Sequence, residues 1–128
     1  MIVGVGIDII DVKRFKVKWE SKSERFFREI FTEDEMEYSR EKRNSPQHFA
    51  ARFAAKEALF KAMGTGKIAP FKWVDVEIVI GKMGEPQINL HGETKVFLKN
   101  KFGKDIKIHI SISHIDEYAT AIVILEKN

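Results

Sequence analysis

The segment ARFAAKEALFKAMGTG, residues 51–66, constrains the fold more than any other stretch of the chain. Ser45-Pro46 ahead of it supplies an N-cap and a first-turn proline, and Gly64 a C-terminal stop, which predicts a helix from about Pro46 to Met63. At ~100° per residue, Ala54, Ala55, Ala58 and Ala62 make a small-residue face, and Phe49, Phe53, Leu59, Phe60 and Met63 a bulky one. A helix apolar over most of its circumference has to be covered on several sides, so this one is expected at the centre of the fold. Its polar residues fall into two strips: Arg52 with Lys56, and Glu57 with Lys61, the second bordered by Phe53 and Ala54.

The remaining elements follow from periodicity and turn chemistry. IVGVGID (2–8) predicts a buried strand ending on Asp8, with Gly4 and Gly6 letting something approach its backbone closely. Residues 11–30 mix basic residues with Phe15, Trp19, Phe26 and Phe27 and read as irregular or helical, with Asp11 as an N-cap. Thr32 and Glu35 have the form of a capping box that opens a helix to about Arg43. WVDVEIVI (73–80) alternates as a strand does, Gly84-Glu85-Pro86 is turn chemistry, and QINL (87–90) is its hairpin partner. A surface helix over 92–102 stops at Gly103. DIKIHISISH (105–114) then sets four isoleucines on one face, before the last strand YATAIVILE (118–126). The order predicts an α+β fold in one small domain, residues 1–128, with an antiparallel sheet packed on a long central helix.

Composition narrows the function classes. With 128 residues, 44% hydrophobic, the chain has ample material for one packed core. It lacks the roughly 18 consecutive apolar residues of a membrane span, and Asp8 and Asp11 fall where a signal peptide would be apolar. No membrane partner and a cytoplasmic location are therefore expected. Zero cysteines exclude disulfides and thiolate metal sites. The net charge of +3 leans mildly toward anionic partners. Acids interrupt the basic residues and no aromatic stacking motif appears, so a nucleic-acid partner is not expected.

Glu57 and Lys61 admit two readings. As an exposed i,i+4 pair they would contribute ~0.2–0.5 kcal/mol to the helix. In a partly desolvated place, a carboxylate and an ammonium one turn apart can instead hold a cation and a phosphate. Mg²⁺ binds through one or two protein carboxylates, with water and substrate phosphates completing its shell, and Asp8 is the leading second carboxylate.

GVGIDIIDVKRF (4–15), RFAAKEALFKAMGTG (52–66) and SISHIDEYATAIVILE (111–126), in this order and spacing, resemble the holo-acyl-carrier-protein synthases, the small bacterial type of 4′-phosphopantetheinyl transferase. Residues 16–45 and 90–105 carry little of the likeness, and Met83 stands where the family tends to have asparagine. The resemblance implies transfer of the 4′-phosphopantetheine arm of coenzyme A to a serine of apo acyl carrier protein, in support of fatty acid biosynthesis, with adenosine 3′,5′-bisphosphate released. It implies Mg²⁺ held by Asp8 and Glu57, and Lys61 at the pyrophosphate, these three forming the catalytic set. Arg52, Gly64, Thr65, Gly66 and His114 would join Lys61 in binding coenzyme A, His114 reaching the 3′-phosphate from a neighbouring subunit of a homotrimer with interface sites. Arg14 would dock the carrier protein. The serine's proton acceptor is left open between a metal-bound water and Glu57.

Outside that likeness, His114 reads as a solvated strand-end histidine, His109 as structural, and the basic residues around Arg14 as a solvated face. A non-catalytic trimer sharing the fold is the remaining rival, and it requires Asp8, Glu57 and Lys61 to be dispensable.

Overall fold

The glycines of the first strand meet the alanines of the central helix. In the computed structural model, which describes Met1–Asn128, β1 (Ile2–Asp11) lies directly against α4 (Ser45–Ala62). A Cβ on Gly6 would stand 1.9 Å from the Ala58 carbonyl oxygen, and one on Gly4 would stand 2.1 Å from that of Ala62. Backbone touches backbone here, which only glycine on one side and a small residue on the other permit. The close approach expected at Gly4 and Gly6 is therefore to the helix itself.

Between β1 and α4 run α1 (Val12–Trp19), α2 (Glu24–Ile30) and α3 (Glu33–Arg40); after α4 come β2 (Val76–Ile80), β3 (Pro86–Leu90), α5 (Gly92–Phe102), β4 (Ile106–His114) and β5 (Tyr118–Lys127). One sheet has the order β1-β5-β4, antiparallel throughout, and β2 and β3 form a separate hairpin. Register sorts the sheet into two faces. Gly4, Gly6 and Asp8 of β1 turn toward α4 with Ala121, Val123 and Leu125 of β5, while Val5, Ile7 and Ile9 pair with Ile124, Ile122 and Thr120 on the opposite face. Val5, Ile7 and Ile9 are 55%, 61% and 64% exposed. No helix is long and apolar enough to cross a membrane.

Two apolar clusters share α4 as a common wall. One joins Ala54, Ala58, Leu59 and Phe60 to the sheet and to the β2–β3 hairpin. The other packs Phe49, Ala50 and Ala51 against Val12, Phe15, Trp19, Phe31 and Met36. Val12, Phe15 and Trp19 recur at i, i+3 and i+7, so 11–30 resolves into two short helices whose apolar stripes meet α4. The Phe15 and Trp19 rings stack 4.5 Å apart, and Trp19 meets Phe53 at 5.1 Å. Such aromatic pairs add ~0.5–1.5 kcal/mol each beyond area burial, enough to order helices of this length.

Local signals held where their partners lay nearby. Asp11 caps α1 through the Arg14 amide at 3.0 Å, and Thr32 and Glu35 form both halves of the capping box. Several expectations need correction. The first strand continues to Asp11, so Asp8 sits within it and not at its end. Residues 73–75 form a 3₁₀ turn, leaving only Val76–Ile80 as strand, and α3 stops at Arg40. Asn44 is the N-cap of α4, with Ser45 already in the helix and no side-chain cap bond.

A further correction concerns Arg52 and Lys56, whose polar strip is buried, at 3% and 0% exposure. Lys56 and Glu35 are both fully buried and paired at 2.9 Å. The ammonium also donates to the carbonyls of Trp73, at 3.2 Å, and Val76, while Glu35 accepts from the amides of Thr32 and Ile78. Burial pushes the lysine pKa down and the Glu35 charge opposes it. The pair fastens α3 and the hairpin to α4, and its full hydrogen bonding is what makes a buried charge pair tolerable.

Gly6→Ala should drive β1 off α4 and destabilise the protein by ~2 kcal/mol or more, read by chemical denaturation. An unchanged unfolding midpoint would mean that strand and helix separate without cost.

Candidate active site

The β1–α4 contact sets the chemistry-bearing side chains. Asp8 is on the α4-facing side of β1, and its backbone carbonyl accepts from the Thr120 hydroxyl at 2.8 Å, so both neighbours hold its position. Lys61 reaches across from α4 and donates to the Ile7 carbonyl at 3.0 Å and to Asp8 Oδ1 at 2.9 Å. Lys61 therefore bridges helix and strand, with Asp8 and not Glu57 as its ion-pair partner.

That leaves Asp8 Oδ2 buried with no hydrogen-bond partner. Glu57 is half-buried on the same side of the helix, and its pKa is raised by burial first and by the Asp8 charge second, with Lys61 opposing. Two carboxylates that repel each other beside an unsatisfied oxygen, with a single ammonium between them, form an under-neutralised pair. Such a donor set fits a hard divalent cation, for which carboxylate oxygens are the preferred protein ligands. No third His, Cys, Asp or Glu joins them, so a cation here would take its remaining ligands from water or from a substrate.

The segment after α4 is shaped by its glycines. Gly64 and Gly66 have φ of +83° and +66°, the Gly66 amide returns to the Phe60 carbonyl at 3.1 Å, and a Cβ on Gly66 would meet nothing within 4 Å. Thr65 donates to the Gly66 carbonyl at 2.8 Å. The turn thus offers open backbone one turn beyond Lys61. Arg14 is exposed on α1, immediately downstream of β1, and lines a wide groove with Lys13, Lys18, Val17 and Ile9.

Arg52 and His114 form a second group. Arg52 and Lys61 are nine positions apart, about 180° around the helix, so the two point in opposite directions. Arg52, His48, His114 and Tyr38 line a cavity of about 150 Å³ closed by the β2–β3 turn. Arg52 is 3% exposed, its guanidinium stacks on Tyr38 at 4.2 Å, and its Nε is buried without a partner. Lys42 lies over the same tyrosine ring at 4.4 Å. His48 stands edge-to-face against His114 at 5.1 Å, and burial, His114, Arg52 and Lys42, in that order, lower its pKa to about 4. Cations crowd this cavity, and an orphaned arginine nitrogen calls for an anion.

The structure thus brings Asp8, Glu57 and Lys61 together, and Arg52 with His114, but within one chain it keeps the two groups apart. Sequence reasoning missed Tyr38, His48, Gln47 and Asp116. Tyr38 joins the cavity only through the packing of α3 on α4, whereas His48 lies one turn before Arg52 on α4 itself, a spacing that could have found it. Gln47 and Asp116 are 69 positions apart and carry no local signal of their contact.

Comparison with known proteins assigns the class. Residues 4–123 match the model of the 4′-phosphopantetheinyl transferase superfamily, and the chain belongs to that family. More particularly, it is 43% identical to the holo-[acyl-carrier-protein] synthase of Geobacter sulfurreducens, with 99% of each chain covered. It is also 43% identical to that of Clostridium tetani, over 98% of this chain and 97% of the other. Among solved structures it resembles the holo-(acyl-carrier-protein) synthase of Bacillus anthracis in complex with CoA (3′,5′-ADP), at 33% identity and TM-score 0.80, covering 100% and 99% of the two chains. The Neisseria meningitidis holo-[acyl-carrier-protein] synthase aligns with TM-score 0.85 at 28% identity, covering 99% and 100%.

Because the folded protein disfavours the Glu57 carboxylate, its charge costs stability wherever the unfolded chain is ionised, and the cost disappears at acid pH. Glu57→Gln should therefore melt at or above the temperature of the parent at neutral pH in metal-free buffer, the gap closing as pH falls through the carboxylate range. A variant less stable at neutral pH would mean that Glu57 is neutralised by its surroundings.

Proposed function

We propose that this protein is a holo-[acyl-carrier-protein] synthase: it moves the 4′-phosphopantetheine arm of coenzyme A to a serine hydroxyl of apo acyl carrier protein and releases adenosine 3′,5′-bisphosphate. The observation that carries the site assignment is the under-neutralised pair, Asp8 with its orphaned Oδ2 beside Glu57, bridged to the helix by Lys61.

In this reading Asp8 and Glu57 hold Mg²⁺, which supplies charge neutralisation on the pyrophosphate. Lys61, the most exposed side chain of α4, is placed to exchange its bond with Asp8 for one to the pyrophosphate. Positioning and cationic stabilisation are the main contributions a protein makes to phosphoryl transfer, and no covalent enzyme intermediate is needed. A water on the bound cation or the Glu57 carboxylate would take the serine proton. The open backbone at Gly66 lets a nucleotide approach, and Arg14 with Lys13 and Lys18 offers an acidic carrier protein a basic surface. The reaction serves fatty acid biosynthesis in the cytosol, and the absence of cysteine is in keeping with that compartment.

A homotrimer with sites at subunit interfaces completes the reading. Two features support it: the Asp8 group and the Arg52 group point away from each other, and Val5, Ile7 and Ile9 form an exposed apolar row beside Ile122 and Ile124. An apolar patch of this kind marks an interaction surface. In this reading a second copy covers that row, and the anion cavity of one chain serves the carboxylates of the next.

The mass of apo acyl carrier protein, after incubation with the protein and coenzyme A, should rise by one phosphopantetheine arm with Mg²⁺ and stay constant with a chelator. Asp8→Ala should abolish the gain, while Arg14→Ala should raise the apparent KM for carrier protein at low salt more than it lowers kcat. No gain in mass with several carrier proteins would refute the activity.

Shared sites predict a complementation. Asp8→Ala and His114→Ala subunits, impaired alone, should regain activity when refolded together, because some mixed interfaces carry neither lesion. A mixture no more active than its parts would rule out sites built from two chains.

A further inference from the structure

His114 ends β4 and would pass for a solvated strand-end histidine, but one of its ring nitrogens is tied down. Its Nδ1 lies 3.0 Å from Gln47 Oε1, and Gln47 Nε2 donates to Asp116 Oδ1 at 2.9 Å. Gln47 is 8% exposed in the first turn of α4, wedged between strand end and turn. The chain of contacts has only one consistent set of protons. The Asp116 carboxylate only accepts, so the amide NH₂ of Gln47 faces it and the amide oxygen faces His114. That oxygen also only accepts, so Nδ1 carries the hydrogen whether or not the ring is charged. Nε2, on the far side of the ring, is left to the cavity that His114 shares with Arg52, His48 and Tyr38.

We propose that Gln47 and Asp116 are positioning residues that lock His114 in its Nδ1–H tautomer and aim Nε2 at the anion cavity, so that His114 donates to a phosphate monoester of the nucleotide only when protonated. This rests on the reading of the cavity as part of the coenzyme A site. In the neutral, locked ring Nε2 presents a lone pair, which repels an anion; a proton on Nε2 turns repulsion into a charge-assisted hydrogen bond. The charged and titratable groups around the ring are Tyr38 from α3, Lys42 from the turn after it, His48 and Arg52 from α4, and Asp116 from the β4–β5 turn. Gly84 and Pro86 on the hairpin side of the cavity bring no charge. His48, neutral at working pH, cannot substitute as the cation. The phosphate therefore needs a proton on Nε2, and affinity for coenzyme A falls as pH rises.

The test measures coenzyme A affinity against pH by calorimetry for the parent, Gln47→Leu, Asp116→Ala and His114→Ala, together with imidazole ¹⁵N spectra at alkaline pH. The parent should show neutral His114 as the Nδ1–H form, and Gln47→Leu should move it toward Nε2–H. On the acid side Gln47→Leu should bind about tenfold more weakly, as expected for losing the support of one charge-assisted bond. Its pH profile should be flatter, since a neutral Nε2–H can donate, and kcat should hold. Asp116→Ala, at an exposed turn, should shift tautomer and profile the same way if Gln47→Leu fails to fold. Unchanged tautomer and profile in both variants, with His114→Ala weakened, would overturn the lock and leave the cavity reading standing. An unweakened His114→Ala would remove the cavity from the coenzyme A site and the lock with it.

Discussion

Everything in this molecule is measured from the backbone contact between β1 and α4. Gly4 and Gly6 against Ala62 and Ala58 bring a strand and a helix closer than any side chain would allow. At that separation the next inward residue of the strand, Asp8, comes within ion-pair distance of Lys61 on the helix. A wider gap would give Asp8 to solvent and Glu57 an ordinary surface. The carboxylate pair is thus a product of packing, and its strain follows from the same packing: burial and mutual repulsion raise the Glu57 pKa while Asp8 keeps an unsatisfied oxygen. Such unspent electrostatic demand is what a binding site for a cation consists of before the cation arrives.

The opposite side of α4 repeats the device with the sign reversed. There the demand is for an anion, with Arg52 buried on Tyr38 and short of a partner, Lys42 over the same ring, and two histidines in contact of which burial keeps one neutral. A coenzyme with a metal-bound pyrophosphate and a further phosphate ester suits a protein that offers one cation-seeking and one anion-seeking site. The two lie on different faces of one chain.

Much of this was legible in the sequence because the deciding interactions are short-range or repetitive. The alanine face, the alternating glycines and isoleucines, the Asp11 cap and the Thr32–Glu35 box are properties of neighbours, and each appears in the structure where its spacing put it. Asp8, Glu57 and Lys61 could be raised as a candidate from their residue types, but only likeness to a family set them in one site, since nothing in the local pattern says that β1 faces that side of α4. Lys56 shows the limit most clearly. Its position beside Arg52 reads as a polar strip, yet it is fully buried because Glu35 of α3 comes to meet it from 21 residues away. The same holds for Gln47 and Asp116, whose contact depends on where β4 ends relative to the start of α4. Polar groups that find partners across tertiary distance carry no periodicity, so single-sequence reasoning assigns them to solvent by default.

The central helix also bears on how such a chain can change over time. Of the 18 residues of α4 only Lys61 is exposed, and Ser45, Pro46, His48, Phe53 and Glu57 are half-buried. Beyond the helix's first two residues, therefore, nearly every place where α4 meets water lies at the carboxylate cluster or the cation-lined cavity; Phe53, set among Trp19 and Trp73, is the exception. Substitutions in this helix have no neutral surface on which to accumulate. Variation is left to the solvated faces of α1, α2 and α5, so relatives of this protein can diversify in the partners they greet well before they can alter the reaction they perform.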